Sequence, residues 1–542
     1  MKKLNKVICL SLSAMMLAAA ISGCGAKETT DAVQNETTEE AAPAGEMSRD
    51  NTMIYGAEFM VEKFNPILGS EYCDAMIFRG LMKTDVDCQP QCDIATDYEI
   101  SDDLLTYTFN IRDDVKFHDG TTLTADDVVF TISSILDENV NSSIRSDFLL
   151  VDKVEKLSDT SLSITLKEPF PALLDKLTVG IVPEHCFEGQ DINTADFNVN
   201  PVGCGPYKLV SLEAGTKCTM TRFDDYYGDK AQIENIIYLY LPDYNTRALQ
   251  LKNNEIDFTF VEPSQIKELE ADENLDVYVI GSADYRCVMY NFQVCDLFED
   301  VRVRQALNYA TDSQAVVDAI AHGYGQIAYS PLQKNKFNCE DVVKYDYDPE
   351  KAAALLKEAG WADTDGDGIL DKDGEKLSFT LTAPVDDEVR VNIGTYLSSE
   401  WKKLGVDCTL SALGWDAIDI AKCESFLLGW GSPFDADNDT YRLFTTGSAD
   451  NYGFYSNETV DKALSEARIK TEDAGRAECY AEFQKAFAED PAYDLICYLD
   501  ALYAGNKRIS GPTDKVLGHH GAGIFGTLKT GQFLNKCGFD VE

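Results

Sequence analysis

From residue 52 to about residue 535 the chain alternates between two hydrophobic periods, with no internal repeat. Leu105, Tyr107, Phe109 and Ile111 alternate with Thr106, Thr108, Asn110 and Arg112, which predicts a strand with one buried face. Leu162, Ile164 and Leu166 against Ser161, Ser163 and Thr165 repeat the pattern. Between them, Thr124 with Asp127 three places on resembles a capping box, opening a helix striped by Val128, Ile132, Ile135 and Leu136. Asp348 as cap, Pro349 at the first helical position and Gly360 as stop predict another helix. Further helices are expected at 301–322, 387–404, 457–469 and 472–489, and buried strands at 236–241, 256–260, 277–281, 377–382, 406–410 and 426–430. Mixed α/β content on this scale calls for more than one open sheet, with ligands in crevices between lobes.

At roughly 150 residues per domain, 542 residues suggest three or four domains or a few intertwined lobes. With 44% hydrophobic and 26% charged residues, there is enough apolar material for large cores. The 93 Asp and Glu against 47 Lys and Arg give a net charge of −46, which argues against nucleic acid as a partner. Residues 1–24 read as an export signal. Lys2, Lys3 and Lys6 precede an apolar run, Val7 to Ala20, too short to span a bilayer comfortably. The run leads to Ile21-Ser22-Gly23-Cys24, which resembles the lipobox of bacterial lipoproteins, where the Cys24 thiol would be diacylated; two acyl chains anchor stably. Residues 25–50 hold seven acids, two bases and almost no large apolar side chains, as in a flexible acidic tether. The rest is expected to be a body held at the outer face of the cell membrane.

Catalytic motifs are missing. The sequence contains no HExxH, GxSxG or GxxxxGK[ST]. Gly521, Gly523 and Gly526 match GxGxxG, but the 16 residues that follow leave no room for a nucleotide-binding βαβ unit, so the segment reads as a loop. Five histidines leave few candidates for a general base near neutral pH.

A series of landmarks in order then carries a resemblance. Phe64-Asn65-Pro66 and Phe78-Arg79-Gly80-Leu81 come first. The segments 105–112, 115–120 and 124–128 follow, then Pro201-Val202-Gly203-Cys204-Gly205-Pro206-Tyr207. Ala306 to Asp312, Tyr347 to Ala352, Ala359 to Trp361, Tyr455 to Asn457 with Val460 and Asp461, Asp490-Pro491, and Asn506 to Arg508 with Gly511 complete it. This order resembles the family 5 extracellular solute-binding proteins, the oligopeptide, dipeptide and nickel receptors of ABC importers. The departure is Cys204, in place of the usual Thr. The resemblance implies an α/β, periplasmic-binding-protein type II fold: two lobes with a hinge plus an inserted extra domain, cluster C-like. Lobe I would be 51–85, 198–285 and 505–542, the insert 86–197, and lobe II 286–504. It also implies no enzymatic activity, a monomer, a peptide ligand, and ABC permease and ATPase subunits as partners. A nickel or metal-chelate receptor is the alternative, and a secreted hydrolase a remote one.

In such a fold the stretch Trp430, Gly431, Ser432, Phe434 and Asp435 would lie in the cleft, where peptide receptors pair a ligand's main chain with a strand. Trp430 would pack on a ligand side chain or wall the pocket, with core packing the alternative. Pro433 stands where peptide binders usually carry an Asp for the peptide's amino terminus, and Asp435 is the nearest carboxylate to replace it. No Arg precedes Trp430 on its strand; Leu427 and Leu428 stand there. Trp415, Tyr72, Tyr441 and Arg442 are further ligand candidates, the last two also for a lobe interface. His519 and His520 would serve the nickel alternative from a turn, since imidazole suits Ni(II). Asp363, Asp365, Asp367, Gly368 and Asp371 have calcium-loop spacing, which makes a structural Ca²⁺ the one cofactor to consider. Gly374 stands where an EF-hand has its bidentate Glu, so an acidic turn is the competing reading.

Of 16 cysteines, Cys9 would leave with the signal and Cys24 take the lipid, leaving fourteen. Exported proteins usually pair their thiols, yet Cys287, Cys408 and Cys497 sit in apolar contexts as single small hydrophobes. Only Cys88 and Cys92 are close, without a second zinc-like pair. We expect most to be free, as suits an oxygen-poor habitat. Native mass spectrometry with and without thiol alkylation should show fewer than four disulfides; four or more would reject this.

Overall fold

The computed structural model describes residues 49–69, 73–85, 88–509 and 518. The segment expected to be an export signal, Cys24, Tyr72, His519, His520 and the glycine-rich residues 521–526 lie outside them. Three main sheets organise the described chain. A seven-stranded sheet runs in the order Leu275–Ile280, Ala501–Asn506, Phe258–Phe260, Thr52–Ala57, Asn235–Tyr240, Lys217–Arg222, Tyr207–Glu213. A six-stranded sheet runs Gly325–Ile327, Tyr493–Leu499, Tyr285–Tyr290, Ser425–Trp430, Ser378–Pro384, Asp407–Leu413. A four-stranded antiparallel sheet, Ala95–Ile100, Thr106–Ile111, Ser161–Leu166 and Val151–Ser158, lies in the segment between Met82–Thr84 and Tyr207–Glu213.

Most helices begin where a short polar side chain caps them. Asp348, Asp387 and Asn457 accept backbone amides at the starts of Pro349–Glu358, Glu388–Lys403 and Glu458–Ile469. Thr124 donates its amide to Asp127 Oδ2 at 2.9 Å, opening Ala125–Leu136. The helix expected over 301–322 is two, Val301–Tyr309 and Ser313–Ala319. Asp312 breaks it by capping the second through the Ala315 amide. Among the described residues no helix is long and apolar enough to cross a membrane.

The apolar core is continuous from the seven-stranded sheet into the four-stranded one: Tyr55, Ile236 and Phe258 belong to the same buried cluster as Phe109, Ile132 and Leu162. The six-stranded sheet is buried on both faces. Leu427 packs on one side with Ile393, Leu397 and Trp401, and Phe426 and Leu428 on the other with Tyr480 and Phe483. Gly203 lies so close to Ile77 that a Cβ would sit 1.9 Å from its carbonyl oxygen, which explains a glycine in the Pro201–Tyr207 landmark. The thirteen described cysteines are thiols outside any disulfide, eight of them, including Cys287 and Cys497, in the apolar cores.

Two segments cross between the large sheets. Residues 281–284 join Leu275–Ile280 to Tyr285–Tyr290, and Asp500 joins Tyr493–Leu499 to Ala501–Asn506. The crossings are bound together: Ser282 Oγ donates to the Leu499 carbonyl at 2.6 Å, and the Leu499 amide to the Asp284 carbonyl at 2.9 Å. Near the ends of the described chain, Asp257, whose side chain is fully buried, pairs with Arg49 (2.6 Å) and Arg508 (2.8 Å) and accepts the Ile54 amide (2.8 Å). Asp257→Ala leaves two guanidiniums and that amide without their acceptor and should cost about 3 kcal/mol, read as a lower urea midpoint at unchanged slope. A change below about 0.5 kcal/mol, the scale of an ordinary surface substitution, would refute that role.

Candidate functional site

Beside the crossings lies a cavity of about 330 Å³, walled by both large sheets and their attached helices. Glu58, at the end of strand Thr52–Ala57, and Glu262, which opens a short 3-10 turn, reach it from the seven-stranded side. Asp284 and Arg286 come from the first crossing and the strand it feeds. Asp387 and Arg390 come from the start of helix Glu388–Lys403, and Trp415 from the turn after Asp407–Leu413.

Three guanidiniums are buried in its wall. Arg247 donates to the carbonyls of Leu241 (2.7 Å), Pro242 (2.8 Å) and Phe260 (3.3 Å), which makes it a brace for the chain around it. Its Nη2 stands 3.9 Å from Glu58 Oε2. Arg286 pairs with Asp284 at 2.5 Å and lies 3.9 Å from Asp387; burial opposes its charge, but those carboxylates hold it firmly protonated. Arg390 Nε is 3.3 Å from Asp387 Oδ2, and its guanidinium lies 5.9 Å from the centre of the Trp415 ring. Burial pushes Glu58 up to about 7 against the pull of Arg247, with Asp387 and Asp284 adding to the rise. Glu262 is pushed up to about 8 by burial, then by Asp387 and Glu58.

Of the residues singled out from sequence, Trp415 lines this cavity, with 49% of its surface exposed. Trp430, Gly431, Ser432 and Phe434 do not. Trp430 pairs across the sheet with Tyr285, between Asp284 and Arg286, and its indole donates to Asp439 Oδ1 at 3.1 Å. A Cβ at Gly431 would meet the Ala283 carbonyl at 1.7 Å, so the loop rests directly on the first crossing. Burial pushes Asp439 up to about 7, opposed by its bonds to Trp430 and the Ser432 amide.

Asp435 corrects the sequence reading. Its buried carboxylate is held by Arg476 at 2.6 and 2.7 Å and also accepts the Asp437 amide, so it is not available to replace the missing amine-binding Asp. Tyr441 and Arg442 stand at the contact between the lobe carrying Trp430 and the four-stranded region. Arg442 pairs with Asp450 (2.5 Å) and approaches Asp147 (3.6 Å), which Lys176 also meets at 3.3 Å. Lys176 donates to Asn438, and the Arg468 guanidinium lies between the rings of Tyr441 (4.1 Å) and Phe170 (4.9 Å).

In the acidic turn, carboxylate oxygens of Asp363, Asp365 and Asp371 lie within 4.8 Å of one another. Lys376 Nζ stands among them, 2.8 Å from Asp365 and 3.0 Å from Asp367. Asp363 accepts the amides of Gly366 and Gly368, and Asp371 that of Thr364. The turn's own lysine and backbone amides thus meet part of its negative charge.

Sequence reasoning missed Glu58, Glu262, Asp387 and the three arginines. Only the helix-cap spacing of Asp387 and Arg390 carried a local signal; their convergence on one cavity needs both sheets.

The comparisons agree with this architecture. Residues 89–452 match the family described as Bacterial extracellular solute-binding proteins, family 5 Middle. Protein XP55 of Streptomyces lividans is 33% identical over 491 residues, covering 89% of this chain and 90% of that one. NikZ from Campylobacter jejuni in complex with Ni(L-His) superposes with a TM-score of 0.85 at 35% identity, over 89% of this chain and 99% of that one. AppA from Bacillus subtilis, in complex with a nonapeptide, gives 0.80 at 28% identity, over 90% and 99%. The fold is therefore the two-lobed type II arrangement of binding proteins, and the chain belongs to the family 5 bacterial extracellular solute-binding proteins.

Proposed function

We propose that this protein is the lipid-anchored receptor of an ABC importer, capturing peptides between its lobes and delivering them to the permease. The observation that carries the reading is the cavity at the paired crossings, with walls from both lobes: a site that opens and closes as the lobes turn about that hinge. Likeness to AppA, seen with a nonapeptide, supports a peptide ligand. Capture needs only differential affinity for the closed state. Anchoring rests on the Cys24 context, and the Arg442–Asp147–Lys176 cluster would hold the lobes together once closed.

A second reading, capture of a nickel or metal-chelate complex, is favoured by the likeness to NikZ with Ni(L-His). Thermal shift on residues 51–542 separates the two. Di- to hexapeptide pools should stabilise the protein, by about 2.7 kcal/mol at 100 times Kd, and Ni²⁺ with histidine should not. The opposite pattern would replace the first reading by the second. Trp415→Ala should weaken the peptide response while leaving the unliganded melting point within a degree or two, because this ring is half exposed. Asp147→Asn should lower affinity about two- to fivefold, the scale of about 0.5–1 kcal/mol for a partly exposed ion pair; titration calorimetry that finds no change would remove the cluster from closure.

A further inference from the structure

We propose that Asp119, His185 and Cys186 form a binding site for one divalent transition-metal ion of the zinc class, on the segment that carries the four-stranded sheet. None of the three lines the interlobe cavity, so the site is independent of the receptor reading and of its ligand.

The three side chains come from two loops far apart in the chain. Their ligand atoms, a carboxylate oxygen, an imidazole nitrogen and a thiol sulfur, all lie within 4.8 Å of one another. Zinc takes such donors at about 2.0–2.3 Å, in tetrahedra whose corners are about 3.3–3.8 Å apart. A contraction of about 1 Å therefore closes the set around an ion, and three protein donors leave the fourth corner to water. Imidazole with thiolate also selects against Mg²⁺ and Ca²⁺, which take oxygen ligands.

Each ligand is aimed by its neighbours. Asp119 sits in the tight turn between Lys116 and Thr122, which pair as an antiparallel bridge. Its Oδ1 accepts the amide (2.9 Å) and the hydroxyl (2.7 Å) of Thr121, which leaves Oδ2 for His185 Nε2, 2.8 Å away. Outer bonds of this kind orient a carboxylate for a metal. The adjacent His118 is not a ligand. Its ring accepts the Gly203 amide (3.2 Å) and donates to the Gly205 carbonyl (3.1 Å), tying the turn to the Pro201–Tyr207 landmark. His185 and Cys186 lie on the 3-10 turn Glu184–Phe187. The Glu184 amide fixes its start on Asp127 Oδ1 (3.0 Å), and Phe187 fixes its end, buried against Phe130 and Phe197.

An ion can reach this set, since Asp119 and His185 are exposed and Cys186 is half-buried. In the Asp363–Asp371 turn Lys376 already stands among the carboxylates, whereas Asp119 pairs with no lysine or arginine among the described residues. On binding, the Sγ–H bond of Cys186 breaks, its proton passes to water, and the thiolate becomes the sulfur ligand. His185 binds as the neutral imidazole.

The test adds Co²⁺, a spectroscopic stand-in for zinc, to the purified metal-free chain in the absence of oxygen. One ion per chain should produce a sulfur-to-cobalt charge-transfer band in the near ultraviolet, and Zn²⁺ should abolish it by displacement. Capture of a ligand in the cleft is read apart from this, because no cavity-lining residue has a thiol. Cys186→Ser should remove the band, while His185→Gln and Asp119→Asn should each weaken binding about tenfold or more. The Asn variant keeps an acceptor for Thr121, and the unliganded melting points, expected to be unchanged, verify that all three variants fold. A wild-type chain without the band, or a band that persists in Cys186→Ser and so belongs to another thiol, overturns the inference. Unchanged binding in either His185→Gln or Asp119→Asn overturns it as well, since the ligand set is then a different one.

Discussion

The structure depends on two chain crossings that hold each other. Residues 281–284 and Asp500 are the links between the ends of strands in two different sheets, and the bonds from Ser282 and Leu499 make them one unit. Any movement of one large sheet against the other has to pass through this narrow pair, because each sheet is otherwise rigidified by its own buried cluster. Hinge motion therefore concentrates at residues whose side chains, Ser282 and Asp284, also line the cavity. Gly431 links the Trp430 loop to the same place, since only a residue without Cβ can lie on the Ala283 carbonyl.

Around that hinge the molecule separates two uses of charge. Its exterior carries most of a large negative excess in water, where each carboxylate is screened and contributes little. Inside, acids are met one by one. Asp93 meets Arg79 at 2.5 Å, Asp435 meets Arg476, and Asp257 meets two arginines. Glu58, beside the cavity, has a looser match, with Arg247 3.9 Å from its carboxylate. The acidic turn at Asp363–Asp371 shows the contrasting solution, with Lys376 supplied by the chain itself.

Local signals in the sequence were legible where local physics decides. Asp348 with Pro349, Asp387 and Asn457 mark helix starts because a cap needs only the next three residues. The half-buried strand Thr106–Ile111 shows its period of two. Tyr285–Tyr290 does not, since every residue in it, Arg286 included, is buried, and no exposed face alternates with a buried one. The break at Asp312 was written in the sequence as a capping residue, yet the apolar pattern around it ran on and masked it.

The sequence by itself determined much of the order of elements and, through ordered landmarks, the family. Both are carried by neighbours along the chain. Only the tertiary structure decided which carboxylates have partners. Asp435 looks open beside Trp430 until Arg476, 41 residues away, is folded against it. Glu58 looks like any acid after a strand until a cavity closes over it and its nearest cation, Arg247, proves to be committed elsewhere. Burial and pairing are properties of distances through space, and a one-dimensional pattern does not carry them.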